Sequence, residues 1–232
     1  MSNLSYMQKA TDRGQLQIHV TTERGFFPIK DASIRLSYTG NPTEIIEELS
    51  TDISGQTAAV ELPAPPLEYS MEPSEFQPYS EYTIQVNASG YRPINISGIS
   101  VLPDKTSIQN VRMETATVEN PLERNIVITA NTLYGNFPPK IPEDEIKPMT
   151  ESGEIVLSRV VIPEYVIVHD GPPSDSSAND YYVRYRDYIK NVASSEIYAT
   201  WPEDTIRANV LAIMSFTLNR VYTEWYRNKG YD

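Results

Sequence analysis

The run YIKNVASSEIYATWP (188–202) presents one carboxylate, Glu196, where a short helix gives way to an aromatic-lined turn. A single acid beside aromatic side chains is the least that proton-assisted cleavage of a glycosidic bond requires. Ile189, Val192 and Glu196 fall at i, i+3 and i+7. That spacing predicts a carboxylate on the apolar face of its helix, partly desolvated. Desolvation favours the protonated, donating form of a carboxyl group. The competing reading of Glu196 is a residue at a helix C-terminus with no chemistry.

The elements that must position Glu196 follow at once. Thr200-Trp-Pro-Glu203 reads as a capping box with proline in the first turn. Ile206, Val210, Ile213, Met214, Thr217, Val221 and Trp225 then recur at three- and four-residue spacing, and Leu211, Leu218 and Tyr222 widen the stripe almost all round. A helix of that kind is expected at a domain centre rather than on a surface. Arg227, Lys229 and Gly230 are its stop signals.

Other chemistries find little support. There are no cysteines, hence no disulfide, thiolate zinc site or cysteine nucleophile. His19 and His169 are the only histidines and have no metal-ligand spacing, so they read as a strand and a loop residue, and no metal or other cofactor is expected. No glycine-rich phosphate loop or Gly-x-Ser-x-Gly elbow occurs. The formal net charge is −12, yet residues 180–232 carry seven basic and seven acidic residues, so the excess lies in residues 1–179. An acidic leader beside a neutral segment argues against nucleic acid as a partner and against electrostatic capture of anionic wall polymers. With 232 residues, 40% hydrophobic and 22% charged, the chain should form one or two globular domains. No window is apolar enough to span a membrane, and the first residues lack the pattern of a secretory signal, which predicts synthesis as a soluble product.

Residues 1–13 read as a polar tail. From Gly14 the apolar residues alternate: Leu16, Ile18, Val20; Ala32, Ile34, Leu36, Tyr38; Ala58, Val60, Leu62; Tyr82, Ile84, Val86; Ile94, Ile96; and Ile108, Val111, Met113. Asn41-Pro42, Ser54-Gly55, Ser89-Gly90 and Pro103-Asp104 punctuate them. Short strands at these spacings predict a seven-strand β-sandwich of about a hundred residues. The loop from Tyr69 to Tyr82, with Phe76 and Tyr79, is either a sugar-stacking platform or packing against the sandwich edge. Four prolines and the Glu143-Asp-Glu145 cluster make residues 136–150 a stiff, charged linker. Residues 169–180 lack the alternating order of a calcium loop and read as a surface loop. The aromatic run 181–186 is either a glycan grip or an edge strand.

Three resemblances arise from these residues. YIKNVASSEIYATWPEDTIRANVLAIMSFTLNRVY (188–222) resembles the opening motif of the stage II sporulation protein D-like lytic transglycosylases, where a glutamate followed by Trp-Pro and an Ala-rich helix carries the acid/base role. Glu196 matches that glutamate. The family's Met-Pro is Ile197-Tyr198 here, and Asn209 and Met214 stand where Gln and Arg are usual. PLEYSMEPSEFQPYSEYTIQVNASGY (66–91), NTLYGNFPPKIPEDEIKP (131–148) and VIPEYVIVHDGPPSDSSAN (161–179) are similar to the clostridial spore cortex-lytic enzymes. FPIKDASIRL, TDISGQTAAVELPAP and YTIQVNASGYRPINISGI resemble the prealbumin-type, carboxypeptidase-regulatory-like sandwich.

These resemblances imply an α+β chain. Residues 14–115 would be a sandwich pro-domain, 116–155 a linker and pro-segment, and 156–232 the first part of a mainly helical catalytic domain that continues beyond Asp232. They imply a zymogen located in the spore, acting on cortex peptidoglycan at germination and processed by a subtilisin-like protease, with the processing region at Thr150, Glu151, Ile155 and Val156. Glu196 would be the acid/base, and Tyr198, Trp201 and Arg207 would contact the glycan. A cut without water needs one carboxyl group if the sugar's own C6 hydroxyl attacks the anomeric carbon. A two-carboxylate hydrolase using Glu203, Asp204 or Glu224 stays open, although the first two read as helix N-terminal acids. So do a binding module built on the sandwich and a structural spore-coat protein.

Limited proteolysis should cut the chain first between Thr150 and Arg159 and leave a compact sandwich fragment, because extended proline-rich backbone is what a protease cleft accepts. A first cut inside residues 14–115 would contradict this.

Overall fold

The computed structural model describes residues 12–72, 75–117, 122–130, 133, 161–171 and 175–222. The chain divides into two compact units, Met1–Asn136 and Phe137–Asp232.

In the first unit, β1 (Asp12–Thr22), β2 (Ser33–Tyr38), β3 (Asn41–Ser50), β4 (Val60–Ala64), β5 (Ser80–Asn87), β6 (Ile94–Val101), β7 (Thr106–Met113) and β8 (Arg124–Val127) form two sheets. One has the order β4-β1-β7 and the other β3-β2-β5-β6-β8. Neighbours are antiparallel except for β1 with β7 and β6 with β8, which run parallel. Leu16, Ile18 and Val20 of β1 pack in one buried cluster with Val111 and Met113 of β7, Ile34 and Leu36 of β2, Tyr82, Ile84 and Val86 of β5, and Ile94, Ile96, Ile99 and Val101 of β6. Inward faces of both sheets thus share one core, the arrangement of a β-sandwich. Tyr82 is buried within it and its hydroxyl donates to the Pro63 carbonyl at 2.7 Å. Burial, and secondarily the neighbouring Tyr38, pushes the Tyr82 phenol far above its ordinary pKa.

The six alternating runs read from the sequence fall on β1, β2, β4, β5, β6 and β7, with two residues misplaced. Ile108 is 55% exposed while Val111 and Met113 are buried. Residues three apart cannot share a strand face, so grouping Ile108 with Val111 broke the period of two. Ala58 precedes β4 and is exposed. Two strands lie outside the seven-strand expectation. β3 is an edge strand carrying Glu44, Glu47 and Glu48, joined to β2 by the two-residue Thr39-Gly40 connection, so Asn41-Pro42 opens a strand instead of forming the turn. Its exposed acids give it no alternating apolar signal, and they blunt a free edge. β8 lies in the stretch read as linker. The Glu114 carboxylate accepts from Arg92 Nη1 at 3.1 Å and Arg124 Nη1 at 2.8 Å, and Arg92 Nε donates to the Leu122 carbonyl at 2.6 Å, which ties β8 beside β6.

β6 solves a register problem. Tyr82 faces Ile99 but Ile84 faces Ile96, so β6 holds one residue more than β5 across this stretch. The bulge falls at Ser97-Gly98 and turns both Ile94/Ile96 and Ile99/Val101 inward. Gly98 has φ +82°, and a Cβ there would stand 2.5 Å from the Ile128 carbonyl oxygen.

The second unit contains the hairpin β9 (Tyr165–His169) and β10 (Asp180–Arg184), then helices α1 (Tyr185–Ser194) and α2 (Glu203–Tyr222). Val166, Tyr185, Ile189 and Ile213 are its buried centre, flanked by Val168, Val183, Val192, Val210, Met214 and Leu218. The aromatic run is therefore a strand leading into a helix, with Tyr181 and Tyr182 outward. α2 is covered less than expected. Leu211 and Phe216 are 62% and 61% exposed, because among the described residues its neighbour is α1 and one helix covers one face. Trp225 lies outside the described residues, as does the expected stiff linker, 136–150.

Gly98→Ala should cost about 2 kcal/mol or more, since it adds left-handed backbone strain to a backbone clash. Thermal melting would then drop on the order of 10 °C. An unchanged melting temperature would show that the bulge is not constrained by Ile128.

Candidate functional site

Helix α1 ends at Ser194, two residues short of what the spacing of Ile189, Val192 and Glu196 requires. Ser195 caps it in the αR region, its amide bonding to carbonyls of α1, and Glu196 falls in the following turn with its amide on the Ala193 carbonyl at 3.1 Å. The expected shared apolar face is therefore not realised, and Glu196 is exposed. Its desolvation, inferred from helical periodicity, disappears with the last turn of that helix. What holds the carboxylate is polar: Asn209 Nδ2, on α2, donates to Glu196 Oε2 at 3.0 Å.

The connection from Glu196 to α2 is compact. The Trp201 amide donates to the Tyr198 carbonyl at 3.2 Å, and both side chains are half-buried. The expected capping box does not form. The Pro202 carbonyl accepts from the Ile206 amide at 3.1 Å, α2 begins at Glu203, and Thr200 Oγ1 is buried without a hydrogen-bond partner among the described residues. Proline rather than threonine occupies the capping position, because the pyrrolidine ring already fixes the backbone for helix entry. Glu203 and Asp204 occupy the first turn of α2, where the helix dipole favours acids. Arg207 is exposed and bonds Glu203 Oε1 through Nη2 at 2.6 Å, an i, i+4 surface pair. Glu196, Tyr198 and Trp201 thus lie on one connection, while the Arg207 guanidinium is engaged elsewhere. Thr150, Glu151, Ile155 and Val156 lie outside the described residues, as does Glu224.

Two features escaped the sequence. Asn209 is the partner of Glu196, thirteen residues on, and its Oδ1 is buried without a hydrogen-bond partner among the described residues. The only signal for it was its place in the second turn of a helix that must fold back on α1. An open apolar groove of about 480 Å³ also runs between the helices, lined by Ile162, Ile189, Ala193, Val210 and Met214, with Arg186 and Lys190 beside it. The i, i+4 spacing of those two cations on α1 was its visible trace.

Elsewhere the polar features are structural. His169 ends β9 with Nδ1 2.8 Å from Asp180 Oδ1, and His19 lies within β1. Among the described residues no group of three potential ligands could hold a metal ion. Asp175 accepts from the Ser177 hydroxyl at 2.6 Å and its amide at 2.9 Å, which holds its carboxyl below the ordinary value and makes a local turn. In the loop after β4, Phe76 stacks on Tyr69 with centroids 5.1 Å apart, while Tyr79 is buried. Among the described residues no helix is long and apolar enough to cross a membrane.

No protein-family model and no curated protein sequence matches the chain. Solved structures overlap about half of it at low similarity. The Bacillus anthracis TIE protein is 17% identical, with TM-score 0.31, over 45% of this chain and 17% of that one. GBS52, the minor pilin of Streptococcus agalactiae, is 13% identical, with TM-score 0.32, over 46% of each chain. Klebsiella pneumoniae 5-hydroxyisourate hydrolase is 16% identical, with TM-score 0.29, over 45% of this chain and 92% of that one. The chain thus spans less than half the length of the first two, and overlaps this slight transfer neither fold nor activity.

Thr200→Val should leave the melting temperature unchanged or raise it, because a buried hydroxyl with no partner costs desolvation that a methyl of the same shape does not. A clear loss of stability would show that the hydroxyl has a partner.

Proposed function

We propose that the chain is a peptidoglycan lytic transglycosylase of the spore cortex-lytic kind, with Glu196 as its single acid/base and no cofactor. The observation that carries the reading is the Glu196 carboxylate, open to solvent at the junction of α1 and α2 and steadied by Asn209 Nδ2 at 3.0 Å. Exposure leaves room for a polymer to approach, and the amide donor orients one carboxylate oxygen while leaving the other to meet substrate. The motif around Glu196 supports the reading by its resemblance to the sporulation protein D-like enzymes.

In this mechanism protonated Glu196 gives its proton to the glycosidic oxygen as the bond from the muramic anomeric carbon to that oxygen breaks. The C6 hydroxyl of the same sugar then attacks the anomeric carbon and surrenders its proton to the Glu196 carboxylate. The product is a 1,6-anhydro ring, no water is consumed, and Glu196 ends as it began. Holding the attacking hydroxyl within the same sugar supplies by proximity what a second carboxylate supplies elsewhere. Tyr198 and Trp201 offer aromatic surface beside the acid, and Arg207 would reach glycan only by leaving Glu203. The sandwich and the segment containing Thr150, Glu151, Ile155 and Val156 would act as the removable part of a zymogen, the segment being the substrate of a subtilisin-like protease.

In the full-length protein, Glu196→Gln should lower cortex cleavage by about a hundredfold or more while leaving thermal melting unchanged, because the amide keeps the shape and cannot donate the proton. Mass spectrometry of the muropeptides should show 1,6-anhydromuramic ends. Reducing ends alone would replace this mechanism with two-carboxylate hydrolysis, and undiminished activity in the folded variant would remove Glu196 from the chemistry.

A further inference from the structure

The groove between α1 and α2 reaches the candidate acid at one end. Ala193, on its α1 wall, accepts at its carbonyl from the Glu196 and Ile197 amides at 3.1 and 3.0 Å. Val210, on its α2 wall, follows Asn209, whose Nδ2 holds Glu196 Oε2. At the other end the Tyr185 hydroxyl donates to the Met214 carbonyl at 3.4 Å, so the helices run antiparallel and clasp the groove there. From Ala193 back to Arg186 is seven residues of helix, about 10 Å.

The α1 wall carries two cations in positions a helix alone would not favour. Arg186, Ile189, Lys190 and Ala193 fall at i, i+3, i+4 and i+7, one face of α1. Like charges at i, i+4 repel, and Arg186 stands in the first turn, where the helix dipole disfavours a cation. Asp187 is the acid of that turn, yet neither Arg186 nor Lys190 has an ion pair among the described residues. Both side chains are exposed. Local placement that costs stability without a compensating contact points to a ligand.

We infer that the groove is the subsite for the peptide that muramic acid carries on its lactyl group, an inference that rests on Glu196 being the acid that cleaves at that sugar. This peptide is short, rich in alanine and bears free carboxylates. Its methyl groups suit the floor formed by Ile189, Ala193, Val210 and Met214, and because the groove is open its backbone stays hydrated. Its carboxylates meet Arg186 and Lys190, the guanidinium fork taking one of them through two bonds. Three extended residues span about 10 Å, the length of the α1 wall. A muramic residue held at Glu196 therefore starts its peptide where the groove starts. The glycan itself fits less well, since its hydroxyls would find no hydrogen-bond partner on that floor. A second protein chain fits less well too, because a stable interface takes about 20–30 residues a side.

The test is calorimetric titration of the full chain with N-acetylmuramyl tetrapeptide, with N-acetylmuramic acid, and with the same tetrapeptide amidated at its carboxylates. The first should bind about tenfold tighter than the other two, and more weakly as salt is raised. Arg186→Ala with Lys190→Ala should lose about that tenfold with unchanged melting, and Arg186→Lys should keep most of the binding. Ile162→Asp, at a 56% exposed position lining the groove, should also weaken the tetrapeptide. Glu196→Gln should bind it as wild type does, since binding needs no proton transfer. Equal binding of N-acetylmuramic acid or of the amidated peptide, undiminished binding in the double alanine variant, or decanoate in the groove that the tetrapeptide does not displace would each overturn the inference. Cortex cleavage by a chain that fails these titrations would remove the subsite and leave the acid; undiminished cleavage by Glu196→Gln with the titrations intact would remove the acid and leave the peptide in the groove.

Discussion

β1 is the strand on which the first unit depends. It pairs with β4 on one side and β7 on the other, while Leu16, Ile18 and Val20 point from it into the opposite sheet and are wholly buried. Each such side chain contributes roughly 1.5–3 kcal/mol, so those three positions supply a large share of a net stability of about 5–15 kcal/mol. Since β1 satisfies both the ladder and the core, the remaining elements are free to be polar or irregular. β3 can be an acidic edge, β8 can be held by the ion pairs of Glu114, and the turns after β1 can carry side chains unrelated to packing.

The core strands were legible because a period of two is a strong signal when one face is dry. Where the period slips, the sequence misleads. Ile94 and Ile96 carry the signal of β6, and only the Gly98 bulge brings Ile99 and Val101 onto the same face. β3 and β8 were illegible for a different reason: one is an acidic edge strand and the other is four residues long and fixed by Arg124, so neither needed an apolar stripe. Sandwich core and solvent-facing edges thus obey different rules, and only the first leaves a periodic trace.

At the candidate site the sequence located the carboxylate and misjudged its surroundings. Periodicity carried α1 through Glu196, but the helix stops at Ser194 and its cap turns the chain toward α2. A helix end is decided by local capping geometry, which the apolar spacing does not encode. The same limit applies at Thr200, where the capping signature is present but Pro202 has taken the position. Asn209 could not be found from spacing at all, because a hydrogen bond between helices depends on how they cross. The outward Leu211 and Phe216 of α2 show the converse case: an all-round apolar composition states that a face can be buried without naming what buries it.

The parallel ladder between β1 and β7 also sets an order of events during synthesis. Gln15 pairs with Thr106, 91 residues later, and the β4 partner of Leu16 is Val60. At about 5–20 residues per second, β1 waits on the order of 5–20 s on the ribosome before its second neighbour exists. Throughout that interval Leu16, Ile18 and Val20 are an apolar strand with an open edge. The nascent chain therefore passes through a window in which the residues that end most deeply buried are still uncovered.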